Sequence, residues 1–441
     1  MADFRQLNRR ELLLYLGQGL AVLPLVGTCG CTSCGGSSRG GGGTQPPASG
    51  ITEQQLLDDI ASSAFQFFWN EAPAGTGMIK DRALAGGNDT RTVSSIASTG
   101  FGLTAFCIAD QRQLMPTQQL KDRVTTTLNY ILNTLPHQNG FFYHFVDMNT
   151  GARAFNSELS SIDTALLLCG VLTARAYFND ANITSLATQI YNRVNWPWML
   201  NGGTAFSMGW KPESGFLSSR WDTYCELMMI YLLAIGSPTY PVPASTWDAF
   251  TRPTLNYQGI SYITTSAPLF IHQFSHAWFD FRNKKDAYAN YYDNSIKATQ
   301  AHKAFCLSLS GNYSDYTDSL WGITSSDSAN GYVAWGGPPQ MGPIDGSIVP
   351  CAAAGSLPFA STDCLKVLRN IRDTYPAAWK KYGFVDAFNP LRNWYNPDVI
   401  GIDVGITMLM AENYRTQFVW QTFMKNPEAV AAMNKVGFQP V

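Results

Sequence analysis

Two kinds of helical run alternate along this chain, and the alternation limits the folds that are open to it. Residues 162–172 and 227–234 are apolar on nearly every side, whereas 118–135 and 185–194 each carry one apolar stripe. A helix that is apolar all round has to be buried, while a helix with one stripe keeps a face in water. A ring of buried helices inside a ring of half-buried ones accommodates both kinds, so the pattern predicts an all-α double ring.

Helical periodicity continues from position 51 to the C-terminus, with few segments of strand-like alternation. No segment of 51–441 has the composition of an interdomain linker, so we predict one domain there. The predicted helices are Glu53–Trp69, Ser94–Gln111, Thr117–Leu135, Ser160–Phe178, Ile183–Val194, Trp221–Ile235, Ser245–Arg252, Pro268–Trp278, Tyr288–Leu309, Ser361–Arg372, Asp403–Trp420 and Asn426–Lys435.

Residues 1–34 have the pattern of an export signal, in which a basic start is followed by an apolar stretch. The pair Arg9-Arg10 resembles a twin-arginine leader. Asn8 and Leu12 depart from that pattern, so general secretory export stays open as the alternative. Either route predicts a periplasmic or outer-surface protein.

The apolar stretch ends close to Cys29 and Cys31, and residues 26–29 resemble a lipoprotein cleavage box with an untypical Thr before the cysteine. We predict a membrane tether through a lipidated Cys29 or Cys31, with plain cleavage among small residues as the alternative. The Gly/Ser/Pro-rich segment 35–50 predicts a disordered tether.

Composition narrows the class of ligand. Hydrophobic residues make up 45% of the chain and aromatic residues 13%, so aromatic surface is left over after a large core is filled. That surplus predicts a ligand with flat apolar faces, such as a sugar. The net charge of -2 and the lack of a basic run after the leader give nucleic acid no electrostatic support. The same charge balance favours a neutral substrate. No nucleotide or phosphate motif is present, so we predict no cofactor. We also predict a monomer.

None of the cysteines after the leader has the spacing of a metal or redox site. Cys107, Cys169 and Cys225 lie in apolar helical runs, which predicts buried, unreactive thiols. A disulfide between Cys351 and Cys364 stays open.

Aromatic loops precede several of the buried runs. They are "NGFFYHF" at Asn139, "SGFLSSRWD" at Ser214, "NGYVAWGG" at Asn330 and "YGFVDAFNP" at Tyr382. Each couples a Gly turn to aromatic and then polar residues, and functional residues concentrate on such loops. If these loops all lead into inner helices, they converge at one end of the ring.

Two acids lie where the segment "NSELSSIDTALLL" enters an apolar helix. Asp163 falls in the first turn, where a Ser160-x-x-Asp163 capping box explains it as well as catalysis does. Glu158 precedes the cap, and capping does not explain it. We therefore treat Glu158 and Asp163 as catalytic candidates.

A second pair of acids lies in "WDTYCELMMIYLL". A helix from Trp221 would put Asp222 and Glu226 on one face, since four residues separate them. Glu226 leads directly into an apolar run, and burial raises the pKa of a carboxyl and keeps it protonated. We predict Glu226 as the general acid, against the alternative of an N-cap at Asp222 and a hydrogen-bonded core residue at Glu226.

Other polar candidates lie in aromatic or Gly/Pro-rich settings. Asp403 opens the last long apolar run, so it is a catalytic candidate with capping as the alternative. The predicted substrate-binding residues are Glu71, Asp81, Arg82, His144, Trp221, His272, Trp278, Trp335, Asp386 and Trp394.

The histidine and tryptophan candidates could also be ordinary core residues. His272 and His276 are four residues apart and would share a helical face, but no third ligand accompanies them, so packing or sugar hydrogen bonding is favoured over zinc. The tryptophans, with Trp69 added, are predicted stacking platforms, although each could equally belong to the core. We predict no metal site.

Six sequence blocks together resemble the bacterial glycoamylase-like domain family, which includes the β-1,2-glucanases of glycoside hydrolase family 144. They are "FFWNEAPAGTGMIKDR", "STGFGLTAFCIA", "GFFYHFVDMNTGARAFNSELSSIDTALLLCGVLTARAYF", "SSRWDTYCELMMIYLLAIGSP", "FIHQFSHAWFDFR" and "NPDVIGIDVGITMLMAENYRT". The resemblance implies an (α/α)6 toroid that hydrolyses β-1,2-glucan or sophoro-oligosaccharides with inversion. It also places the essential acids on the Glu158 and Glu226 motifs, with Asp403 as a further candidate.

Two other functions use the same toroid. A polysaccharide lyase would need a base such as Tyr143 or His144, with Arg153 and Arg220 to neutralise a uronate. A surface lipoprotein that binds glycans without cleaving them would use the same aromatic loops. Fold alone does not separate these functions from hydrolysis.

Overall fold

The computed structural model describes residues 50–265 and 268–441. The predicted export signal at 1–34 and nearly all of the tether at 35–50 lie outside these residues, so both stay predictions. The α-helices are α1 (Glu53–Asn70), α2 (Ile96–Gln111), α3 (Thr117–Asn133), α4 (Ser161–Phe178), α5 (Ala181–Asn192), α6 (Trp196–Leu200), α7 (Met228–Gly236), α8 (Tyr291–Ser308), α9 (Pro350–Ala354), α10 (Ser361–Thr374), α11 (Gly401–Thr416), α12 (Phe418–Phe423) and α13 (Pro427–Lys435).

Short strands pair in hairpins and small antiparallel sheets among the loops. They are β1 (Arg82–Leu84), β2 (Val93–Ser95), β3 (His137–Gln138), β4 (Phe141–Phe142), β5 (Phe145–Asp147), β6 (Leu159–Ser160), β7 (Gly209–Lys211), β8 (Gly215–Phe216), β9 (Thr254–Tyr257), β10 (Ile260–Ile263), β11 (Lys284–Lys285), β12 (Ser326–Ser328), β13 (Gly331–Val333), β14 (Trp379–Lys380), β15 (Gly383–Phe384), β16 (Phe388–Asn389), β17 (Trp394–Tyr395), β18 (Asp398–Ile400) and β19 (Gln439–Pro440). Strands of two to four residues are too short to show alternation, so the sequence did not predict them.

The helices form the predicted double ring. Helices α2, α4, α7 and α11 are buried along most of their length and form the inner ring together with α9 and residues 269–277. Helices such as α3 and α10 bury a single stripe and lie outside. Among the neighbours, α2 packs against α4, α11 against both α1 and α2, and α13 against α7.

Four predicted helices differ clearly from the structure, and the one expected over 245–252 is a short 3-10 helix, Ala244–Asp248. The segment 221–227 is not helical, because the backbone N–H groups of Trp221 and Tyr224 donate to the carbonyls of Phe206 and Thr251. The helix expected over 268–278 forms two short 3-10 helices, Leu269–His272 and Ser275–Ala277. The helix expected over 403–420 is broken at Gln417, whose φ is 63°.

The segments that lead into the inner helices are joined to one another by hydrogen bonds in a closed circuit, which we call the loop ring. Its links, in order, join β2 to β5, His144 to Glu158, β6 to β7, Trp221 to Phe206, Ser275 to Glu226, Phe270 to Thr324, Asp327 to Asp386, Asp386 to Asp398, Gly401 to Asp81, and Asp81 to Val93. The aromatic loops therefore do converge at the N-terminal end of the inner helices.

The inner ring depends on a close approach of α2 and α4. A Cβ atom added at Gly170 would lie 2.0 Å from the carbonyl oxygen of Gly100, and one added at Gly100 would lie 2.3 Å from that of Leu166. Neither distance admits a methyl group, so the two glycines set the spacing of these helices.

We predict that Gly170→Ala lowers the free energy of unfolding by about 1–3 kcal/mol or more, because α2 and α4 must separate to admit the methyl group. Chemical denaturation measures the loss. Gly311→Ala is the matched control, since a Cβ there meets nothing within 4 Å. Equal stability of the two variants would contradict the close approach.

Candidate active site

Glu158, Asp163 and His144 meet where the loop ring enters α4. The imidazole Nδ1 of His144 lies 3.5 Å from a carboxylate oxygen of Glu158 and 3.6 Å from one of Asp163. The backbone N–H of His144 donates to the carbonyl of Glu158 at 3.0 Å, which fixes the two loops together. The side chains of Glu158 and Asp163 are more than nine-tenths buried and that of His144 is 11% exposed, so the three form one compact polar cluster.

The predicted helix cap at Ser160 is confirmed. Its hydroxyl oxygen accepts the backbone N–H of Asp163 at 3.0 Å and also contacts the Asp163 carboxylate. Because that carboxylate also lies near His144, capping and membership of the cluster are compatible for Asp163.

Glu158 lies flat against β7. A Cβ atom added at Gly209 would lie 2.5 Å from the Cγ of Glu158 and 2.7 Å from the carbonyl of Leu159. Only glycine leaves room for the carboxylate arm there, so Gly209 helps to set the position of Glu158.

The same cluster has the chemistry of a cation site. One ligand atom each from His144, Glu158 and Asp163 can be chosen so that all lie within 4.8 Å of one another. The sequence predicted no metal site, because the three residues are not at the spacing of a ligand motif and come together only in the folded chain. The cluster can equally serve proton transfer between its carboxylates.

Glu226 lies at the entrance to α7 and is 6% exposed. The Ser275 hydroxyl donates to the carbonyl of Glu226 at 2.7 Å and accepts the backbone N–H of Met229 at 3.2 Å. A serine from the next inner segment therefore caps α7 and holds the backbone of Glu226 in place.

The predicted pairing of Asp222 with Glu226 on one helical face is wrong. Asp222 lies in the non-helical segment before α7, and its side chain is exposed whereas that of Glu226 is buried. Its carbonyl accepts the backbone N–H of Thr251 at 2.8 Å, so the chain is held extended there.

A second acidic cluster lies at the entrance to α11. Asp386 and Asp403 are both buried, and a carboxylate oxygen of Asp386 accepts the backbone N–H of Asp327 at 2.7 Å. Burial raises the pKa of Asp386 well above its usual value, and the nearby charges of Asp403 and Asp327 raise it further. Burial therefore favours the protonated form of Asp386, which can donate a hydrogen bond to Asp403.

Arg82 ties this cluster to the start of the loop ring. Its guanidinium contacts Asp327 at 2.8 Å and Asp81 at 3.2 Å. The two acids, with burial opposing them, raise the pKa of Arg82, so it stays charged. Asp327 was missed in the sequence, although it lies three residues before the quoted "NGYVAWGG" loop.

Glu71 lies apart from both clusters. Its carboxylate contacts the Lys80 ammonium at 2.6 Å and the hydroxyl of Tyr382. Lys80 also donates to the carbonyl of Asp89 at 2.7 Å, so Glu71 belongs to a buried ion pair at the edge of an open depression.

His272 is a hydrogen-bonded core residue. Its two ring nitrogens lie 3.2 Å from the hydroxyls of Tyr224 and Thr264, and burial lowers its pKa to about 3. The helical face predicted for His272 and His276 is absent, since Gln273 and Phe274 separate their two 3-10 helices; His276 instead contacts Ser295 at 3.1 Å.

The tryptophans divide between core and partly exposed positions. Trp278 is fully buried and donates to Thr104 at 3.0 Å, so the prediction of a stacking platform is wrong for it. Trp221 and Trp335 are buried and donate to Ser161 and Ser326. Two are half-buried, namely Trp69 and Trp394.

The arginines that a lyase would need are engaged elsewhere. Arg153 pairs with Glu213 at 2.8 Å, and Arg220 donates to the carbonyl of Leu200 at 3.4 Å.

The cysteines match the prediction of buried thiols only in part. Cys107 and Cys169 are buried, whereas Cys225 is half-buried. Cys364 is a free thiol, so the disulfide with Cys351 that the sequence left open is not formed.

Part of the chain matches a known family, and a curated relative aligns with most of it. Residues 218–427 match the Glycoamylase family, described as "Putative glucoamylase". A curated relative, the exo β-1,2-glucooligosaccharide sophorohydrolase (non-reducing end) of Parabacteroides distasonis, is 27% identical over 426 residues, which cover 88% of this chain. The chain spans 58% of the length of that relative.

Solved structures share the architecture. A "putative glucoamylase" from Bacteroides uniformis is 26% identical with a TM-score of 0.83, covering 88% of this chain and 98% of its own. An endo-β-1,2-glucanase from Chitinophaga pinensis, in complex with sophorotriose and glucose, is 26% identical with a TM-score of 0.81, covering 88% and 99%. The resemblance predicted from the sequence blocks and the (α/α)6 toroid are confirmed.

We predict that the free energy of unfolding falls with rising pH because of Asp386. A carboxyl whose pKa is higher in the folded than in the unfolded chain stabilises the fold below its unfolded pKa, and this stability is lost as pH rises towards the folded value. Asp386→Asn, which cannot ionise, should flatten the dependence as pH rises above about 4, as followed by thermal unfolding. The exposed Asp222→Asn is the control, and a slope unchanged in Asp386→Asn would refute the assignment.

Proposed function

We propose that this protein is a glycoside hydrolase that cleaves β-1,2-glucan or sophoro-oligosaccharides by carboxylate general acid and base catalysis. The observation that carries the proposal is the loop ring, which places Glu158, Glu226 and Asp403 at the entrances of three different inner helices at one end of the toroid. The named activities of the Parabacteroides and Chitinophaga relatives support the choice of substrate.

Glu226 is the general acid in this proposal. Its carboxyl is buried, and burial penalises the charged form of a carboxylic acid. Ser275 holds the backbone of Glu226 in place, so the side chain extends from a fixed position towards the glycosidic oxygen. The acid donates its proton to that oxygen as the bond to the anomeric carbon breaks.

The general base is Glu158 or Asp403. Each lies at the N-terminal end of an inner helix, where the helix dipole and free N–H groups favour a negative charge. A protonated Asp386 beside Asp403, and His144 beside Glu158, are suitable neighbours for an ionised carboxylate. The base takes a proton from water that attacks the anomeric carbon from the opposite face, which inverts its configuration.

Wild-type protein should release sugars with new reducing ends from linear β-1,2-glucan, with or without a chelator. Glu226→Gln keeps the shape of the side chain but cannot donate the proton, so kcat should fall roughly 10²-fold or more with the fold intact by circular dichroism. Glu53→Gln, at a half-buried acid in the first turn of outer helix α1, is the matched control.

Three results would count against the proposal. Near-normal turnover by a folded Glu226→Gln variant removes Glu226 from the mechanism. An unsaturated product that absorbs in the ultraviolet indicates a lyase instead. Binding of the glucan by wild-type protein without any release of sugar indicates the glycan-binding alternative.

We further propose that the chain is exported and tethered to a membrane through a lipid on Cys29 or Cys31. The support is the leader pattern and the cysteines that end it. Fatty-acid labelling in cells should mark the wild-type protein, and Cys29→Ser or Cys31→Ser should abolish the label. Labelling that survives the double variant would refute the tether, while a protein retained in the cytoplasm would refute export.

A further inference from the structure

Phe155 is a large aromatic side chain in solvent, three residues before Glu158. Its side chain is 64% exposed, whereas Glu158 is buried. It is not among the aromatic residues that the sequence predicted as stacking platforms. An exposed ring this close to a buried carboxylate at a proposed catalytic centre calls for a physical reason.

The backbone at Phe155 does not favour a phenylalanine. Residues 154–157 form a tight turn in which the N–H of Ser157 donates to the carbonyl of Ala154 at 3.0 Å. Both central residues are left-handed, with φ of 54° at Phe155 and 48° at Asn156, as in a type I′ turn. Such turns select Gly, Asn or Asp at the first central position, and a bulky residue there is strained.

The turn is held rigidly in that conformation. The guanidinium of Arg153 donates to the carbonyls of Asn156 and Ser157 at 2.7 and 2.5 Å. The Ser157 hydroxyl and the Ala154 N–H both donate to the carbonyl of Phe145, at 3.1 and 2.9 Å. The exposed ring is therefore displayed by a fixed support, and its position does not depend on a mobile loop.

A continuous series of rings connects Phe155 with the catalytic cluster. The Phe155 ring meets Phe145 edge to face, with centroids 5.6 Å apart. Phe145 stacks on the imidazole of His144 at 3.8 Å. That imidazole lies 3.5 Å from the Glu158 carboxylate, so Phe155 is within reach of a substrate whose reacting bond is held at Glu158.

We infer that Phe155 is a binding platform for one glucosyl unit of the substrate, on the exposed turn that precedes Glu158. The C–H groups on the face of a glucose ring carry partial positive charge and are attracted to the negative face of an aromatic ring. The inference rests on the proposed function. The left-handed turn disfavours an aromatic residue at Phe155, and a ligand that stacks on the exposed ring would account for its presence there.

The test compares four variants on linear β-1,2-glucan. Phe155→Asn keeps a residue that the turn favours and removes the ring, Phe155→Leu keeps apolar bulk without a flat face, and Phe155→Trp keeps a flat face. Tyr240→Asn is the matched control, because Tyr240 is 44% exposed and follows the C-terminus of α7, at the opposite end of the toroid.

Phe155→Asn and Phe155→Leu should raise KM roughly 2- to 12-fold with kcat little changed, the range expected for one ring contact that acts equally in ground and transition states. Phe155→Trp and Tyr240→Asn should stay close to wild type in KM. Because the turn favours asparagine, Phe155→Asn should unfold at the same temperature as wild type or a higher one.

An unchanged KM in Phe155→Asn would overturn the inference, and so would a lower kcat at unchanged KM, since that would mean that the turn only positions Glu158. Wild-type turnover is measured alongside. If wild type does not release sugar, the proposed function fails; if wild type is active and Phe155→Asn matches it, only the platform fails.

Discussion

The closed circuit of hydrogen bonds through the loop ring is the constraint on which the rest of this structure depends. Each inner helix begins where its leading segment is bonded to the segment of the next, and the bond from Gly401 to Asp81 joins the last to the first. Backbone groups that would otherwise be unpaired at the helix entrances are satisfied by this circuit. Loops of irregular length are thereby fixed in place, and side chains on them can be held precisely enough for chemistry.

Charged residues at the entrances of apolar helices follow from the same arrangement. A double ring buries its inner helices on all sides except at their ends, so charged groups are most easily accommodated there. The N-terminal ends also present free N–H groups and the positive pole of the helix dipole. Glu158, Glu226 and Asp403 all lie at such ends. The apolar turns that follow supply the core, and the acids before them supply the candidate chemistry.

The two acidic clusters differ in how their charge is held. Near α4, His144 lies between two carboxylates. Near α11, burial favours the protonated form of Asp386 beside Asp403, and Arg82 pairs with Asp327. Opposed protonation states in neighbouring carboxyls are what acid and base catalysis requires. The turn at Phe155 differs from both clusters, because there a left-handed backbone conformation holds an aromatic ring in solvent.

The sequence by itself determined the double ring, the cap at Ser160 and the burial of Glu226, because each follows from local periodicity or from the residues directly after it. It also carried the blocks that identify the family resemblance. Only the tertiary structure decided that Asp222 turns away from Glu226, that Trp278 and His272 belong to the core, that His144 lies between Glu158 and Asp163, and that Asp327 contacts Asp386. Those outcomes depend on hydrogen bonds and ring contacts between segments far apart in the chain, such as Trp221 with Phe206 and Asp327 with Asp386. Periodicity reports which face of a segment is buried, but not which distant partner it meets.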